Sequence, residues 1–157
     1  MTDMPTRDII SHRGNVNGPV PELENSPKYI DSAIKSGFVV EVDLWLKNGN
    51  LSLGHDGPQY DVTLDWLYHR YQHLIIHIKD PKVLTETQVW HRFHCFCHSS
   101  DPFTMTNRAI MWIHDLSLKY TQDSIIPIIS LDQVLLYNQG CRKTEGHICT
   151  DYPYMFE

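Results

Sequence analysis

Three short apolar runs alternate with helical stretches along the first hundred residues of this chain. The apolar runs, which favour buried strands, span residues 7–12, 38–46 and 73–80. The stretches that predict helices are residues 23–37, 63–72 and 84–100. Strands that alternate with helices are typical of a parallel sheet with right-handed crossovers, so the pattern predicts an α/β fold.

The last third of the chain is compressed. Apolar segments follow one another closely at 103–106, 109–115 and 124–130, and one predicted helix, 131–140, precedes a last strand at 146–153. The chain has 157 residues, enough for one domain and too few for two. We therefore expect a single domain over residues 1–157, without internal repeats or linkers.

Composition and charge limit the classes of protein to which this chain can belong. The formal net charge is −6, which disfavours binding to a nucleic-acid polymer, because that role needs a basic face. No apolar run is long enough to cross a bilayer, and residues 1–10 do not resemble a signal peptide. We expect a cytoplasmic protein without a transmembrane segment, with reduced thiols at Cys95, Cys97, Cys141 and Cys149; a Cys/His zinc site is the alternative use of these residues.

Side chains that can carry chemistry lie at the ends of the predicted strands. Residues two apart in a strand point the same way, as Glu41 and Asp43 would. The carboxyl ends of parallel strands form the rim where α/β proteins bind ligands. We expect six side chains to converge there: His12, Glu41, Asp43, His55, His77 and Lys79.

These residue types suit the cleavage of a phosphodiester. Two carboxylates on one face repel each other unless a cation holds them, and oxygen ligands favour Mg²⁺ or Ca²⁺. The metal and Arg13 or Lys79 would offset charge that develops on the phosphoryl oxygens. One histidine could remove a proton while the other protonates the leaving oxygen. Taken singly, each motif is more typical of ordinary polarity at a strand end.

The joint pattern resembles the glycerophosphodiester phosphodiesterase family, within the phosphatidylinositol-phospholipase-C-like barrel superfamily. The specific matches cover roughly residues 8–80 and 147–153. They are His12-Arg13-Gly14, Glu24-Asn25-Ser26, Gly37, Glu41-Val42-Asp43, Asn48-Gly49, His55-Asp56, the strand-end Lys79 and the closing segment Cys149-Thr150-Asp151-Tyr152-Pro153.

The resemblance implies a TIM-like barrel and a divalent-cation phosphodiesterase that hydrolyses a small glycerophosphodiester-like substrate, with a cyclic phosphate as intermediate where a neighbouring hydroxyl attacks first. It implies His12 and His55 as the acid/base pair and Glu41 and Asp43 as metal ligands. It further implies that four residues contact phosphate or support the site: Arg13 and Lys79 in the first role, Glu24 and Asn25 in the second.

Two features depart from the family pattern. His77 stands where the family places a further metal-binding carboxylate, so His77 is a candidate ligand and Mn²⁺ or Zn²⁺ become alternatives. The chain is also far shorter than the roughly 250 residues of a usual TIM barrel. We therefore expect an abbreviated (β/α) barrel with a shortened, helix-poor second half, and a homo-oligomer if apolar strand surface stays uncovered.

The sequence is also compatible with other functions and other placements of its histidines. A barrel that kept the motif could bind a phosphorylated ligand or a partner without cleaving it. His91, His94 and His98 would share one face of the helix predicted at 84–100, more typical of a polar flank than of a metal site. Trp112, His114 and Asp115 could reach the mouth of the barrel. Trp112 is more typical of the core, with an aromatic wall against a substrate as the alternative.

Overall fold

A computed structural model describes residues 9–140 and 146–156, and within them ten strands belong to one sheet. The strands are β1 (Ile9–His12), β2 (Val39–Lys47), β3 (Asn50–Leu53), β4 (Tyr60–Asp61), β5 (Leu74–Ile78), β6 (Cys95–Phe96), β7 (Phe103–Met105), β8 (Met111–Ile113), β9 (Ser124–Pro127) and β10 (His147–Thr150). The α-helices are α1 (Pro27–Lys35), α2 (Leu64–Tyr68), α3 (Pro81–Glu86), α4 (Val89–Arg92) and α5 (Leu131–Asn138). Two 3₁₀ turns, Tyr71–His73 and Pro153–Phe156, complete the assignment.

Seven strands run parallel in the order β6-β5-β2-β1-β10-β9-β8. From β1 the strands follow one another around the sheet in both directions, and β10, the last of these strands in the chain, pairs with β1, the first. This return of the last strand to the first is the arrangement of a barrel. Ile10 marks this junction, with Cys149 opposite it on one side and Val39 on the other. β3, β4 and β7 extend the sheet as antiparallel additions. The fold is α/β with a strongly curled, barrel-like sheet, as the sequence predicts.

Helices cover the two halves of the sheet unequally. α1 to α4 lie in the connections of the first half, while α5 alone lies among the described connections after β6. The predicted helix-poor second half is therefore confirmed. Over that half, the strand residues Ile113, Ile126 and Ile148 pack on Val134 of α5 and on Phe156 near the end of the chain.

The concave face of the sheet carries one apolar layer, in which six strands meet: Ile10, Ile75, Phe96, Trp112, Ile125 and Cys149. Strands this far apart in the sheet can meet only inside its curl. The Phe96 ring stacks on Trp112 at a centroid distance of 4.3 Å and on His77 at 4.6 Å. Trp112 is thus in the core, as predicted. On five of the six strands, β9 being the exception, moving two residues on toward the carboxyl end leads from this layer to the site described below.

The prediction of one helix over residues 84–100 is wrong. α3 ends at Glu86, α4 is a single short turn, and the chain then enters β6, which pairs in parallel with β5. His91, His94 and His98 consequently do not share a helix face. His91 is exposed on α4, whereas His94 is buried against Thr106, with 2.9 Å between His94 Nε2 and Thr106 Oγ1.

Three of the four cysteines lie in the described residues, and all three are unpaired: Cys95, Cys97 and Cys149. Burial raises the pKa of the Cys95 thiol to about 12, which keeps it protonated and makes it a poor metal ligand. Among the described residues, the one group able to hold a metal contains no cysteine, which speaks against the Cys/His zinc alternative. Cys141 lies outside the described residues.

No described helix is both long and apolar enough to cross a membrane.

Some apolar side chains remain uncovered in the second half of the sheet. α5 exposes Leu135 and Leu136, and β7 exposes Phe103 and Met105. The homo-oligomer nevertheless stays a prediction.

Phe96→Ala tests the layer inside the curl. The ring is fully buried between His77 and Trp112, so its removal should lower the free energy of unfolding by about 3–5 kcal/mol. Phe103→Ala, on a ring that is half exposed, is the matched control and should change it by less than about 0.5 kcal/mol. Urea denaturation of both variants makes the comparison, and equal losses would contradict the assignment of Phe96 to the core.

Candidate functional site

Two carboxylates and one imidazole meet at the carboxyl-terminal edge of the concave face. Glu41 and Asp43 lie on β2, and His77 lies opposite Asp43 on the neighbouring strand β5. His77 Nδ1 is 3.2 Å from Asp43 Oδ1 and 3.8 Å from Glu41 Oε1. One ligand atom of each residue falls within 4.8 Å of the others, a spacing that can hold a metal ion. The three side chains proposed from the sequence as metal ligands are therefore brought together.

The atoms of this group that could bind a metal have few hydrogen-bond partners within the protein. Glu41 Oε2 and Asp43 Oδ1 are buried and receive no hydrogen bond from the described residues, although such atoms normally find a partner. His77 Nε2 lies 3.1 Å from the carbonyl oxygen of His98, which can only accept, so Nε2 carries the proton. In the neutral ring the Nδ1 lone pair then faces the two carboxylates. A histidine that donates its second N–H to a backbone carbonyl is the usual arrangement of a metal ligand.

Arg13 and Asn25 fix the position of Asp43. The Asn25 side chain donates to Asp43 Oδ2 at 3.0 Å and accepts from the Asp43 N–H at 2.9 Å. Arg13 Nε lies 3.0 Å from Asp43 Oδ2 as an ion pair without hydrogen-bond alignment, and Arg13 Nη1 donates to Glu24 Oε2 at 3.2 Å. Glu24 and Asn25 thus lie where a supporting role requires them.

The turn after β1 makes these contacts possible. Arg13 and Asn25 both have left-handed backbones, with φ of 56° and 63°, and the Asn25 N–H donates to the Arg13 carbonyl at 3.0 Å. Between them Gly14 has φ of 94°, and a Cβ on it would lie 2.8 Å from the Tyr29 ring. Glycine is therefore required in this turn, and the strained arginine is held by the site around it.

His12 forms a dyad with Asp151, which directly follows β10. His12 Nδ1 lies 2.8 Å from Asp151 Oδ1, and the same oxygen accepts from Asn15 Nδ2 at 2.9 Å. An ionised carboxylate only accepts, so Nδ1 carries the proton and Nε2 of the neutral ring is free to take one. Nε2 points to the metal group, 3.9 Å from Glu41 Oε2.

The electrostatics separate the two carboxylates. Burial, followed by the charge of Asp43, raises the pKa of Glu41. Burial also acts to raise the pKa of Asp43, but a hydrogen bond from the His77 ring, which requires a proton on Nδ1, and the charge of the Arg13 guanidinium outweigh it and lower the pKa of Asp43. The protein alone therefore holds one full negative charge here more readily than two, and a cation between the carboxylates would ionise both.

Lys79 and His55 lie at the periphery of the site. Lys79 Nζ is 4.0 Å from Asp43 Oδ1, the outer limit of an ion pair. His55 follows Gly54, whose N–H donates to the Asp43 carbonyl at 3.2 Å, so its backbone adjoins the site. Its side chain, however, is 43% exposed and pairs with Asp56 at 2.8 Å. The described contacts do not bring the His55 ring into the cluster.

Four residues beyond the predicted set line the same region: Asn15, His98, His114 and Asp151. Asp151, His98 and His114 each lie two residues after a member of the apolar layer, which is the same spacing that predicts Asp43 from Glu41. His114 is already expected from the sequence to reach the mouth of the barrel, and alternation along residues 94–98 is the signal that could have found His98. Asn15 lies in a loop, where no such pattern exists.

Comparisons with known proteins add little. No protein-family model matches the sequence, and no curated protein matches it. Among solved structures, the crystal structure of a candidate glycerophosphodiester phosphodiesterase from Galdieria sulphuraria aligns over 98% of this chain and 97% of that chain, at 12% sequence identity and a TM-score of 0.44. A similarity this distant establishes neither family nor activity. The fold and the site together define an α/β barrel-like protein with a buried Glu/Asp/His cluster that could hold a metal.

Asp151→Asn tests the His12 dyad. Burial by itself lowers the pKa of His12, but the hydrogen bond to Asp151 and then the charge of Glu41 outweigh it and raise that pKa. Loss of the Asp151 charge should therefore lower the His12 pKa relative to the wild type. NMR titration of the imidazole resonances in chelator-treated protein measures it, with exposed His69 as the internal reference. An unchanged His12 pKa would show that Asp151 does not act on the ring in solution.

Proposed function

We propose that this chain is a metal-dependent phosphodiesterase that hydrolyses a small glycerophosphodiester-like substrate. The observation that carries the proposal is the buried Glu41/Asp43 pair, which faces His77 Nδ1 and retains two oxygens without hydrogen bonds. A buried carboxylate pair without enough donors needs a cation. The His12–Asp151 dyad beside it supports a reaction rather than metal storage alone, because a storage site has no use for a proton acceptor.

Glu41, Asp43 and His77 would hold the ion. Two carboxylates suit Mg²⁺ or Ca²⁺, whereas one imidazole in the set shifts the preference toward Mn²⁺ or Zn²⁺. When bound, a divalent ion at this place supplies positive charge against the phosphoryl oxygens. Arg13 helps to keep the local charge balanced, because its guanidinium is positive at any working pH and pairs with Asp43 and Glu24.

The protein's own groups would handle the protons. His12 Nε2 is the acceptor, and Asp151 orients the ring and stabilises the imidazolium that forms. His55 is the proposed partner that protonates the leaving oxygen; its exposed ring would have to turn from Asp56 toward Asp43 to do so. A substrate hydroxyl beside the phosphate could serve as the nucleophile, with a cyclic phosphate as the first product.

A binding barrel that does not cleave its ligand is the second candidate. The observation in its favour is the outward position of His55, which leaves His12 as the one histidine of the proposed acid/base pair that contacts the Glu/Asp/His cluster within the described residues. A screen of metals against bis-p-nitrophenyl phosphate and glycerophosphocholine separates the two candidates. Turnover supports the phosphodiesterase, whereas ligand binding without turnover under every metal supports the binding barrel.

Glu41→Gln tests the metal site. The change removes one anionic ligand at nearly constant volume, so Mn²⁺ affinity measured by calorimetry should fall at least about tenfold. Glu86→Gln, on the exposed surface of α3, is the matched control and should leave the affinity unchanged. Equal affinities for the wild type and the Glu41 variant would remove the basis for the proposed function.

His12→Ala tests the proton acceptor. Loss of the imidazole should lower kcat by about 10²–10⁴-fold with the fold retained, and His55→Ala should act in the same direction if that ring serves as the acid. His69→Ala provides an exposed histidine as control. The readout is release of p-nitrophenol at saturating metal, with circular dichroism to confirm folding. Full activity in the double variant His12→Ala/His55→Ala would exclude the mechanism.

A further inference from the structure

Two imidazoles lie next to the candidate metal group on the side away from His12. The His98 and His114 rings are 4.3 Å apart between centroids, and the His98 ring is 6.4 Å from that of His77. They follow strands β6 and β8, which lie across the curl from β1 and β10, the strands that lead to the His12–Asp151 dyad. The metal group therefore has a proton-accepting dyad on one flank and two histidines on the other.

His98 lacks hydrogen-bond partners. Both of its ring nitrogens are buried and make no hydrogen bond within the part of the chain that the structure describes, while its backbone carbonyl accepts from His77. An imidazole carries at least one N–H in either protonation state, so a donor is buried without an acceptor. Such a group costs free energy unless a ligand provides the missing oxygen.

The cations around the site differ in how fully they are used. Arg13 is engaged by Glu24 and by Asp43, whereas the Lys79 ammonium group has one described ion pair, at 4.0 Å from Asp43. Burial lowers the pKa of His98, and the neighbouring His114 and His77 rings lower it further. The Asp101 charge acts in the opposite direction, and the Lys79 charge adds a smaller lowering effect. Lys79 Nζ lies 4.0 Å from Asp43 Oδ1, Asp43 pairs with His77, and the His77 ring is 6.4 Å from that of His98, so Lys79 and His98 border the same metal group.

We propose that His98, together with His114 and Lys79, forms a subsite that binds the non-bridging oxygens of a phosphate group. His98 provides a preformed N–H donor, Lys79 provides the positive charge, and His114 packs against the His98 ring at the exposed edge and shields it from water. The subsite rests on the proposed function and specifies the side of the metal group from which the phosphate approaches. The ester then lies between His98 and His12.

The test uses inorganic phosphate as the probe and the full chain loaded with Mn²⁺. Calorimetry gives two affinities for each variant, that of Mn²⁺ for the protein and that of phosphate for the Mn²⁺-loaded protein. His98→Ala should weaken phosphate binding at least about tenfold, a typical loss for one hydrogen bond to a charged group, and change Mn²⁺ affinity by less than about twofold. His98→Gln, which keeps an N–H donor, should recover part of the loss.

Controls separate the subsite from general effects. His91→Ala removes an exposed histidine seven residues earlier and should leave both affinities unchanged. His114→Ala, at an exposed ring, should weaken phosphate binding less than His98→Ala does, and it provides a second variant if the His98 variant fails to fold. In the folded wild type loaded with diamagnetic Mg²⁺ in place of Mn²⁺, whose unpaired electrons would broaden resonances near the site, phosphate should also shift the imidazole resonances of His98 and not those of His91.

The outcomes distinguish the subsite from the proposed function. Normal Mn²⁺ binding with unchanged phosphate affinity in folded His98→Ala and His114→Ala overturns the subsite and leaves the phosphodiesterase intact. If the wild type binds no divalent ion, the proposed function fails; phosphate that still shifts the His98 resonances would then support the subsite as a separate anion site. Absence of any phosphate-induced shift in the wild type overturns the subsite under either condition.

Discussion

The burial of two carboxylates two residues apart on one strand is the constraint on which the rest of this structure depends. Glu41 and Asp43 are 2% and 0% exposed, and two charges so placed are costly without compensation. Every neighbouring group of the site can be understood as a response to this cost. Asn25 donates to Asp43 from a left-handed turn, Arg13 approaches from another, and His77 faces both acids. The compensation is incomplete at Glu41 Oε2 and Asp43 Oδ1, and this deficit gives the site its capacity for a cation.

The part of the site that the sequence predicts is the part that regular strands position. Period-two alternation places Glu41 beside Asp43, and the parallel register of β2 and β5 then brings His77 opposite Asp43. Neither step requires knowledge of loops. Asp151 and Asn15 illustrate the limit, because their contact joins residues 136 positions apart and depends on β10 returning to pair with β1. His55 shows the opposite case, a residue that the sequence places in the site but whose side chain lies outside the cluster. A loop side chain next to the site can point to solvent.

The wrong helix over 84–100 has a physical cause that lies outside that segment. Thr87 takes an extended conformation and its hydroxyl accepts from the Val89 N–H, which interrupts the helix locally. The decisive contacts come from Asn107, whose side chain donates to the Trp90 and Phe93 carbonyls and accepts from the Cys95 N–H. These bonds satisfy carbonyls at the end of α4 and align β6 for pairing with β5. A residue 12 to 17 positions away thus overrides local helical periodicity.

A short chain can retain a complete inner face because the two layers of a barrel have different length requirements. A strand of two to four residues is enough to deliver one apolar side chain to the inner layer and one polar side chain beyond it, as β6 and β8 do. The outer layer needs cover only where strands present apolar groups outward. In the second half, Val134 of α5, Leu116 and Tyr120 from the β8–β9 connection and Phe156 near the chain end cover Ile113, Ile126 and Ile148. Loops and a 3₁₀ turn therefore cover the outside of this half of the sheet, while its short strands still bring polar side chains to the site on the inside.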